Sequence, residues 1–235
     1  MSHAPPDLCR LDYSLRRHFV DEFYFRHVAK LPGDSLVLDL GGTKVRKRGR
    51  FDISAFPVQV EYANIDPGTK PDHVCDAVSV PVEDGTFDAV ICAELIEHVL
   101  RPVDVLCEAC RLLKPGGVLL LTAPFHVNIH GHPDDYARYT DTWLVENLSA
   151  IGFEVTGVER QGMIFTVLAD MLKRFAAQDI WPRGRLGRRL FRAAVVRWTR
   201  AALRLEAGGR FADNRIVAGY TTGLGVRAVK AGGAP

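Results

Sequence analysis

One feature constrains this chain more than any other: short, continuous apolar runs alternate with helical stretches over more than a hundred residues. The runs are SLVLDL (35–40), VQVEYANID (58–66), DHVCD (72–76), FDAVICAEL (87–95) and GVLLLTAP (117–124). Gly152-Phe-Glu-Val opens a sixth, and NRIVAGYTTGLGVRAVK (214–230) reads as the closing strand region. Runs that are apolar throughout suit strands buried on both faces, as in a parallel sheet. Between them lie helical patterns. Leu11, Leu15, Phe19, Phe23 and Val28 recur at four- or five-residue spacing between Leu8 and Lys30. Pro102 to Leu113 begins on a proline and ends at Lys114-Pro-Gly-Gly, the usual start and stop chemistry. Thr140 or Asp141 can cap a third helix running to Ile151. Strands alternating with helices predict an α/β fold built on a parallel sheet.

Composition excludes the main competitors. With 47% hydrophobic residues in 235, the chain can bury a large core and is not generally disordered. No apolar run approaches the ~20 residues of a membrane-spanning helix. MSHAPPDLCR lacks the basic start and apolar stretch of a secretory signal, so a cytoplasmic protein is expected. Five scattered cysteines do not form a disulfide framework, and Cys107-Glu-Ala-Cys110 is read as two buried helical cysteines.

In open parallel sheets ligands bind beyond the carboxyl ends of the strands. Three acids stand there: Asp39, Asp66 and Asp76, closing the first three runs. Gly41-Gly42 follows the first, where missing side chains let backbone approach a ligand. Asp66, 27 residues beyond Asp39, is placed to accept hydrogen bonds from ribose hydroxyls. Asp76 can accept from an exocyclic amine. Together they describe a site for an adenosine-containing ligand. A nicotinamide enzyme would cradle a pyrophosphate on G-x-G-x-x-G, which GGTKVR does not supply.

These residues resemble the class I S-adenosylmethionine-dependent methyltransferases, in particular the small-molecule type with members linked to polysaccharide and secondary-metabolite pathways. The resemblance is carried by VLDLGG (37–42), YANIDP (62–67), VCDAVSVPVEDGTFDAVICAELIEHV (74–99) and RLLKPGGVLLLTAP (111–124), and it covers about residues 35–160. It implies a Rossmann-like, seven-stranded, mostly parallel sheet whose last strand is antiparallel. It implies that Asp39 and Gly41, with Gly42 in the same turn, hold the methionine end of the cofactor. Asp66 would bind the ribose, and Asp76 and Ala77 the adenine. Glu94 would lie beside the sulfonium, and His98 at the substrate pocket. Thr43 and Val45 stand where the family usually has further glycines.

The segment PFHVNIHGHPDDYARYT (124–140) follows the fifth strand and should overhang the site. It is read first as a substrate-binding lid in which His130, or next His126, removes a proton from the acceptor, with His132, Asp135, Tyr136 and Arg138 as substrate contacts. A structural reading, with Arg138 paired to an aspartate, stands close behind. A metal reading for the histidines ranks last, and no metal is assigned.

A formal charge of +2 hides a strong asymmetry. Residues 173–210 hold eleven Lys/Arg against two Asp/Glu, a local +9 that leaves −7 elsewhere. On a helical wheel Leu190, Phe191, Ala194, Val195, Trp198, Ala201, Ala202 and Leu205 oppose Arg188, Arg189, Arg192, Arg197, Arg200 and Arg204. Residues 186–205 could pack on the domain or in a homodimer, or lie on an anionic membrane surface at the inner face; nucleic acid ranks behind both.

The sequence therefore predicts an N-terminal helical segment (1–34), a cofactor-binding core (35–162), a basic helical insertion (163–212) and a closing strand with tail (213–235). The expected activity is methyl transfer to oxygen or nitrogen of a small-molecule or saccharide-like acceptor. The alternative is an inactive module of the same fold serving as a membrane-associated scaffold.

Overall fold

The structure is a computed structural model and describes residues 8, 10–45, 47–131, 134–178 and 184–232. Seven strands form one sheet: β1 (Leu36–Leu40), β2 (Gln59–Asn64), β3 (His73–Val74), β4 (Phe87–Ala93), β5 (Leu113–Pro124), β6 (Phe153–Gln161) and β7 (Gly223–Lys230), in the order β3-β2-β1-β4-β5-β7-β6. Pairings β1–β2, β1–β4, β2–β3 and β4–β5 are all parallel, and β7 alone runs antiparallel. The order reverses between β1 and β4, so the switch point of the sheet opens directly above Asp39.

The helices are α1 (Leu15–Val28), α2 (Pro102–Leu112), α3 (Asp141–Ile151), α4 (Ile164–Ala177) and α5 (Arg185–Ala207). α1 starts later than its apolar spacing predicts because the Ser14 hydroxyl accepts from Arg17 N–H and caps it. Thr140 caps α3 through Trp143 N–H at 3.2 Å, and Gly152, with φ +112°, closes it in the left-handed conformation. The closing strand is shorter than predicted: β7 begins at Gly223, because Asn214 Oδ1 accepts from Ile216 and Val217 N–H and folds the preceding stretch into turns.

The chain divides into two compact units, Met1–Phe19 with Arg160–Gly223, and Val20–Glu159 with Leu224–Pro235. The second contains the core of the sheet. Leu38, Leu40, Val90, Leu119 and Leu121 meet Leu106, Leu112 and Leu148 in one buried cluster. Val20, Phe23, Tyr24 and Val28 meet Val37, Ile91 and Leu120 in another. Each fully buried aliphatic or aromatic side chain contributes about 1.5–3 kcal/mol. Tyr24 also fixes the carboxyl ends of β4 and β5, with its hydroxyl 3.2 Å from both Cys92 O and Thr122 Oγ1.

In the first unit Leu15, Ala169 and Ala202 form a small core with Phe165 and Trp198 around it. The buried Lys173 ammonium donates to the carbonyls of Leu8 (2.5 Å) and Tyr13 (2.8 Å). α5 buries Val195, Thr199 and Ala202 rather than the whole predicted apolar side. Leu190 and Leu205 are exposed, and Thr199 enters the core because its hydroxyl returns to Val195 O at 2.9 Å. The expectation of two buried cysteines in α2 is also corrected. Cys107 is exposed and Cys110 half-buried, since the inward face of that helix is Val105, Leu106, Ala109 and Leu112.

Among the described residues, no helix is long and apolar enough to cross a membrane.

Candidate functional site

The loop after β1 turns over a narrow floor. Gly41 adopts φ +81°, and its N–H donates to Ala63 O at 2.8 Å. A Cβ at Gly42 would lie 2.1 Å from the Asp39 carboxyl carbon, so a larger residue would push that carboxyl out of place. The Asn64 side-chain amide clamps the turn from below, donating to Gly41 O and Gly42 O at 2.9 Å each. The turn, which lacks the further glycines, is thus supported by a side chain at the end of β2. The basic stretch beyond is also anchored: Lys44 pairs with Asp72 and Lys47 with Asp52.

Three carboxyl groups stand at the strand ends as predicted, Asp39 one residue before the end of β1 and Asp66 and Asp76 two residues past β2 and β3. Asp39 is half-buried, and burial pushes its pKa up to about 7, against a minor opposing pull from Lys47. Asp66 is exposed just beyond β2, its Oδ1 accepting from Gly68 N–H at 2.8 Å. Asp76 is exposed after β3, with Oδ1 3.2 Å from Val78 N, and Ala77 stands beside it half-buried. Glu94, one residue past β4, has φ +51°, a conformation that non-glycine residues adopt chiefly where surrounding structure imposes it. Its N–H is tied to Thr122 O at 3.0 Å. Asp39 and Glu94 thus cap neighbouring strands at the switch point, with Asp66 and Asp76 further along the same edge.

The segment after β5 is stitched to the segment after β4. Tyr136 N–H donates to Glu97 O (2.7 Å), and Tyr139 hydroxyl to Ile96 O (2.9 Å). His98 Nδ1 lies 2.6 Å from Asp134 O. These ties bring His98 and His130 together as an edge-to-face pair with ring centroids 5.2 Å apart. His126 stacks edge-on against Phe125 instead, at 4.9 Å. His132 lies outside the described residues. Asp135 and Arg138, predicted as substrate contacts, use their polar groups on the loop itself. The Asp135 side chain is 1% exposed, forms a two-pronged pair with Arg138 and accepts from His130 N–H at 3.0 Å. Arg138 also reaches the carbonyls of Val127, Asn128 and Ala137. The guanidinium holds the Asp135 carboxyl well below the ordinary carboxylate range. Tyr136 remains half exposed at the rim.

Sequence reasoning missed Asn64 and Glu97. The glutamate is fully buried in the short turn after β4. Its signal was present, since it sits between the two residues singled out in Glu94-Leu-Ile-Glu-His98. A separate cleft, bounded by Leu31–Ser35, Asp88 and Lys114–Val118, opens at the amino-terminal edge of the sheet. There Asp88 already pairs with Lys114 at 2.7 Å and accepts from Leu36 N–H. It is not at the end where these folds place ligands.

Comparison with known proteins agrees with this geometry. A family described as a methyltransferase domain matches residues 50–121. That match covers about a third of the chain, and it falls on the part of the sequence that carries β2 to β5. Among curated proteins, it is 38% identical over 75 residues to a ubiquinone biosynthesis O-methyltransferase from Dechloromonas aromatica, a match covering 31% of this chain and 32% of that protein. The chain thus matches about a third or less of the length of the curated relatives. Solved structures extend the likeness in fold across nearly the whole chain. The [4+2]-cyclase SpnF superposes with a TM-score of 0.57 at 19% identity, covering 92% of this chain and 82% of its own. A 1,6-didemethyltoxoflavin-N1-methyltransferase from Burkholderia thailandensis, solved with S-adenosylhomocysteine, gives 0.52 at 14% identity, covering 94% and 80%. That a cyclase and a methyltransferase both share this fold shows why chemistry must be argued from the site.

Proposed function

We propose that this protein transfers a methyl group from S-adenosylmethionine to a hydroxyl oxygen of a small molecule. The observation that carries the reading is the row of carboxyl groups at the carboxyl ends of β1, β2, β3 and β4, beside a turn where a Cβ at Gly42 would displace the Asp39 carboxyl. The cofactor's methionine end is cationic at both its amine and its sulfonium. Asp39 and Glu94 at the switch point form the acidic environment that such a cation requires, and the raised pKa of Asp39 reflects a carboxyl lacking sufficient counter-charge. Asp66, exposed and with only one oxygen engaged by Gly68, can take the ribose hydroxyls. Asp76 can take the adenine amine, with Ala77 against the ring. The residues therefore fit the group.

Bound there, S-adenosylmethionine supplies a methyl group already activated on a sulfonium. The chain's own task is to position an acceptor and remove its proton; positioning supplies most of the rate. Glu97 and His98 follow Glu94 in the turn after β4, His130 comes from the segment after β5, and the three form a polar cluster that suits a hydroxyl acceptor. The name of the Dechloromonas relative, an O-methyltransferase, favours oxygen over nitrogen. Nothing at the site favours a saccharide over other hydroxyl compounds, and the presence of all four carboxyl groups argues against an inactive scaffold. Calorimetric titration with S-adenosylhomocysteine tests the reading: a saturable heat is expected, and none at millimolar ligand would overturn it.

We also infer attachment to an anionic membrane surface through the first unit. Leu186 and Leu190 on α5 are 71% and 62% exposed among the exposed arginines Arg185, Arg189 and Arg197. Apolar side chains can enter the headgroup boundary, and each cation near such a surface adds about 1 kcal/mol.

A further inference from the structure

We propose that Glu97, His98 and His130 bind a divalent transition-metal ion, which would hold the acceptor oxygen; only this last role rests on the methyltransferase reading. One donor atom from each residue lies within 4.8 Å of the others. Ligands at about 2.1 Å from a common ion stand roughly 3–3.5 Å apart, so closure by at most about 1.3–1.8 Å completes the set. Glu97 is fully buried, whereas His98 and His130 keep side-chain exposures of 28% and 29%, so the third side of the cluster opens outward.

The surroundings of the two rings point the same way. A metal-bound histidine typically gives its other ring N–H to a carbonyl or carboxylate, which fixes the tautomer. His98 Nδ1 sits 2.6 Å from Asp134 O, while its Nε2 faces Glu97 Oε1 at 3.7 Å. His130 Nδ1 sits 3.0 Å from Asn128 O and 3.4 Å from Asp135 Oδ2. Both rings are thereby held by Nδ1, leaving Nε2 of each as the ligand nitrogen. The His130 loop is in turn locked by the Asp135–Arg138 pair. Tyr136 N–H fixes the carbonyl of Glu97 itself.

Two imidazoles and one carboxylate select zinc, iron(II), cobalt(II) or manganese(II) over magnesium or calcium. Three protein ligands also leave coordination positions open, as in catalytic rather than structural sites. An acceptor hydroxyl in an open position would lose its proton at a lower pH and be held as the nucleophile, with the proton passing to water. His130 then serves as a ligand and not as the base predicted for it.

The test uses the full chain without an affinity tag, titrated with cobalt(II) and followed by visible absorption. Expected are saturable d–d bands of an imidazole-bound ion at one equivalent, displaced by zinc and lost in His130→Gln and His98→Ala. The spectrum of aqueous cobalt alone, or bands unchanged in both variants, would overturn the site. Manganese(II) broadening of the wild-type histidine C2-proton resonances needs no variant. Selective loss of two resonances supports the site, and no selective loss refutes it. S-adenosylhomocysteine titration of the same samples keeps the two readings apart. Cobalt bands without S-adenosylhomocysteine binding would sink the methyltransferase reading and leave the metal site standing, and the reverse result would do the opposite.

Discussion

Replacing Asp39 by asparagine should make the cofactor-free protein more stable and the cofactor complex weaker, with the first effect dependent on pH. The carboxyl is half-buried at the end of β1, and burial moves its pKa from the ordinary 3.8 to about 7. The folded state therefore holds this proton more tightly than the unfolded chain. Between those two values stability falls as pH rises, and above the folded value the full penalty of a buried carboxylate is present. Linkage from the two values gives a penalty of about 4 kcal/mol at pH 8 and about 2 kcal/mol at pH 5. Partial solvent access of the side chain reduces the difference to roughly 1–2 kcal/mol. Asparagine has nearly the same shape and no charge, so the variant escapes this pH-dependent loss.

Thermal unfolding of both proteins at pH 5 and pH 8 measures it. In a chain of this size each kcal/mol moves Tm by about 2–4 °C, so the variant's advantage should grow by roughly 2–8 °C between pH 5 and pH 8. S-adenosylmethionine should reverse the order at pH 8, because its cationic end favours the carboxylate and finds only an amide in the variant. An equal Tm difference at both pH values would refute the burial argument. Equal cofactor stabilisation of both proteins would refute the assignment of Asp39 to the cofactor's cationic end.

Three further outcomes are expected. Asp66→Ala should weaken S-adenosylhomocysteine binding by about tenfold, the loss of one or two good hydrogen bonds, while the short turn at Pro67–Thr69 loses its cap; unchanged affinity by calorimetry contradicts the ribose role. Arg138→Ala strands the buried Asp135 carboxylate and should cost about 3 kcal/mol by urea unfolding at pH 7. Because the folded pKa of Asp135 is depressed, the contribution of this pair is present above the ordinary carboxylate range and fades as pH falls through the folded value, so the gap between the two proteins should narrow in acid. Wild-type protein should float with vesicles rich in phosphatidylglycerol at low salt, and Leu186→Glu/Leu190→Glu should not; equal flotation of the two, or a dimer-to-monomer change in the variant, assigns those leucines elsewhere.

What could be read from the sequence was whatever depends on neighbours close along the chain. Continuous apolar runs located β1, β2, β4 and β5, and the strand-end position of each acid follows once the strands are placed. The register of α5 was less legible. A wheel ranks faces by composition, but the buried stripe Val195–Thr199–Ala202 is selected by what α4 offers. One back-bonding hydroxyl then admits Thr199, while Leu190 stays exposed. The extent of β7 was overestimated for a similar reason, since Asn214 can spend its side chain on its own backbone and end an apolar, strand-like pattern before it starts.

The candidate site divides along the same line. Asp39, Asp66 and Asp76 come to one edge of the sheet through strand order alone, which spacing reveals. Glu97, His98 and His130 belong together for another reason: Tyr136 and Tyr139 tie the loop after β5 onto the turn after β4. Arg138, which looked like a substrate contact, pairs with Asp135, and it is Asp135 that accepts from the His130 backbone N–H. An arginine and an aspartate three residues apart carry the same sequence signal whether they face a ligand or each other. What distinguishes the cases is burial: at 1% exposure the Asp135 side chain needs a permanent partner, and a transient substrate cannot be one. The polar groups that remain for chemistry on this side are therefore the ones whose own partners are backbone carbonyls, His98 and His130. A pair of rings held through Nδ1 beside a buried carboxylate is organised before any acceptor arrives, as a site that must orient an oxygen requires.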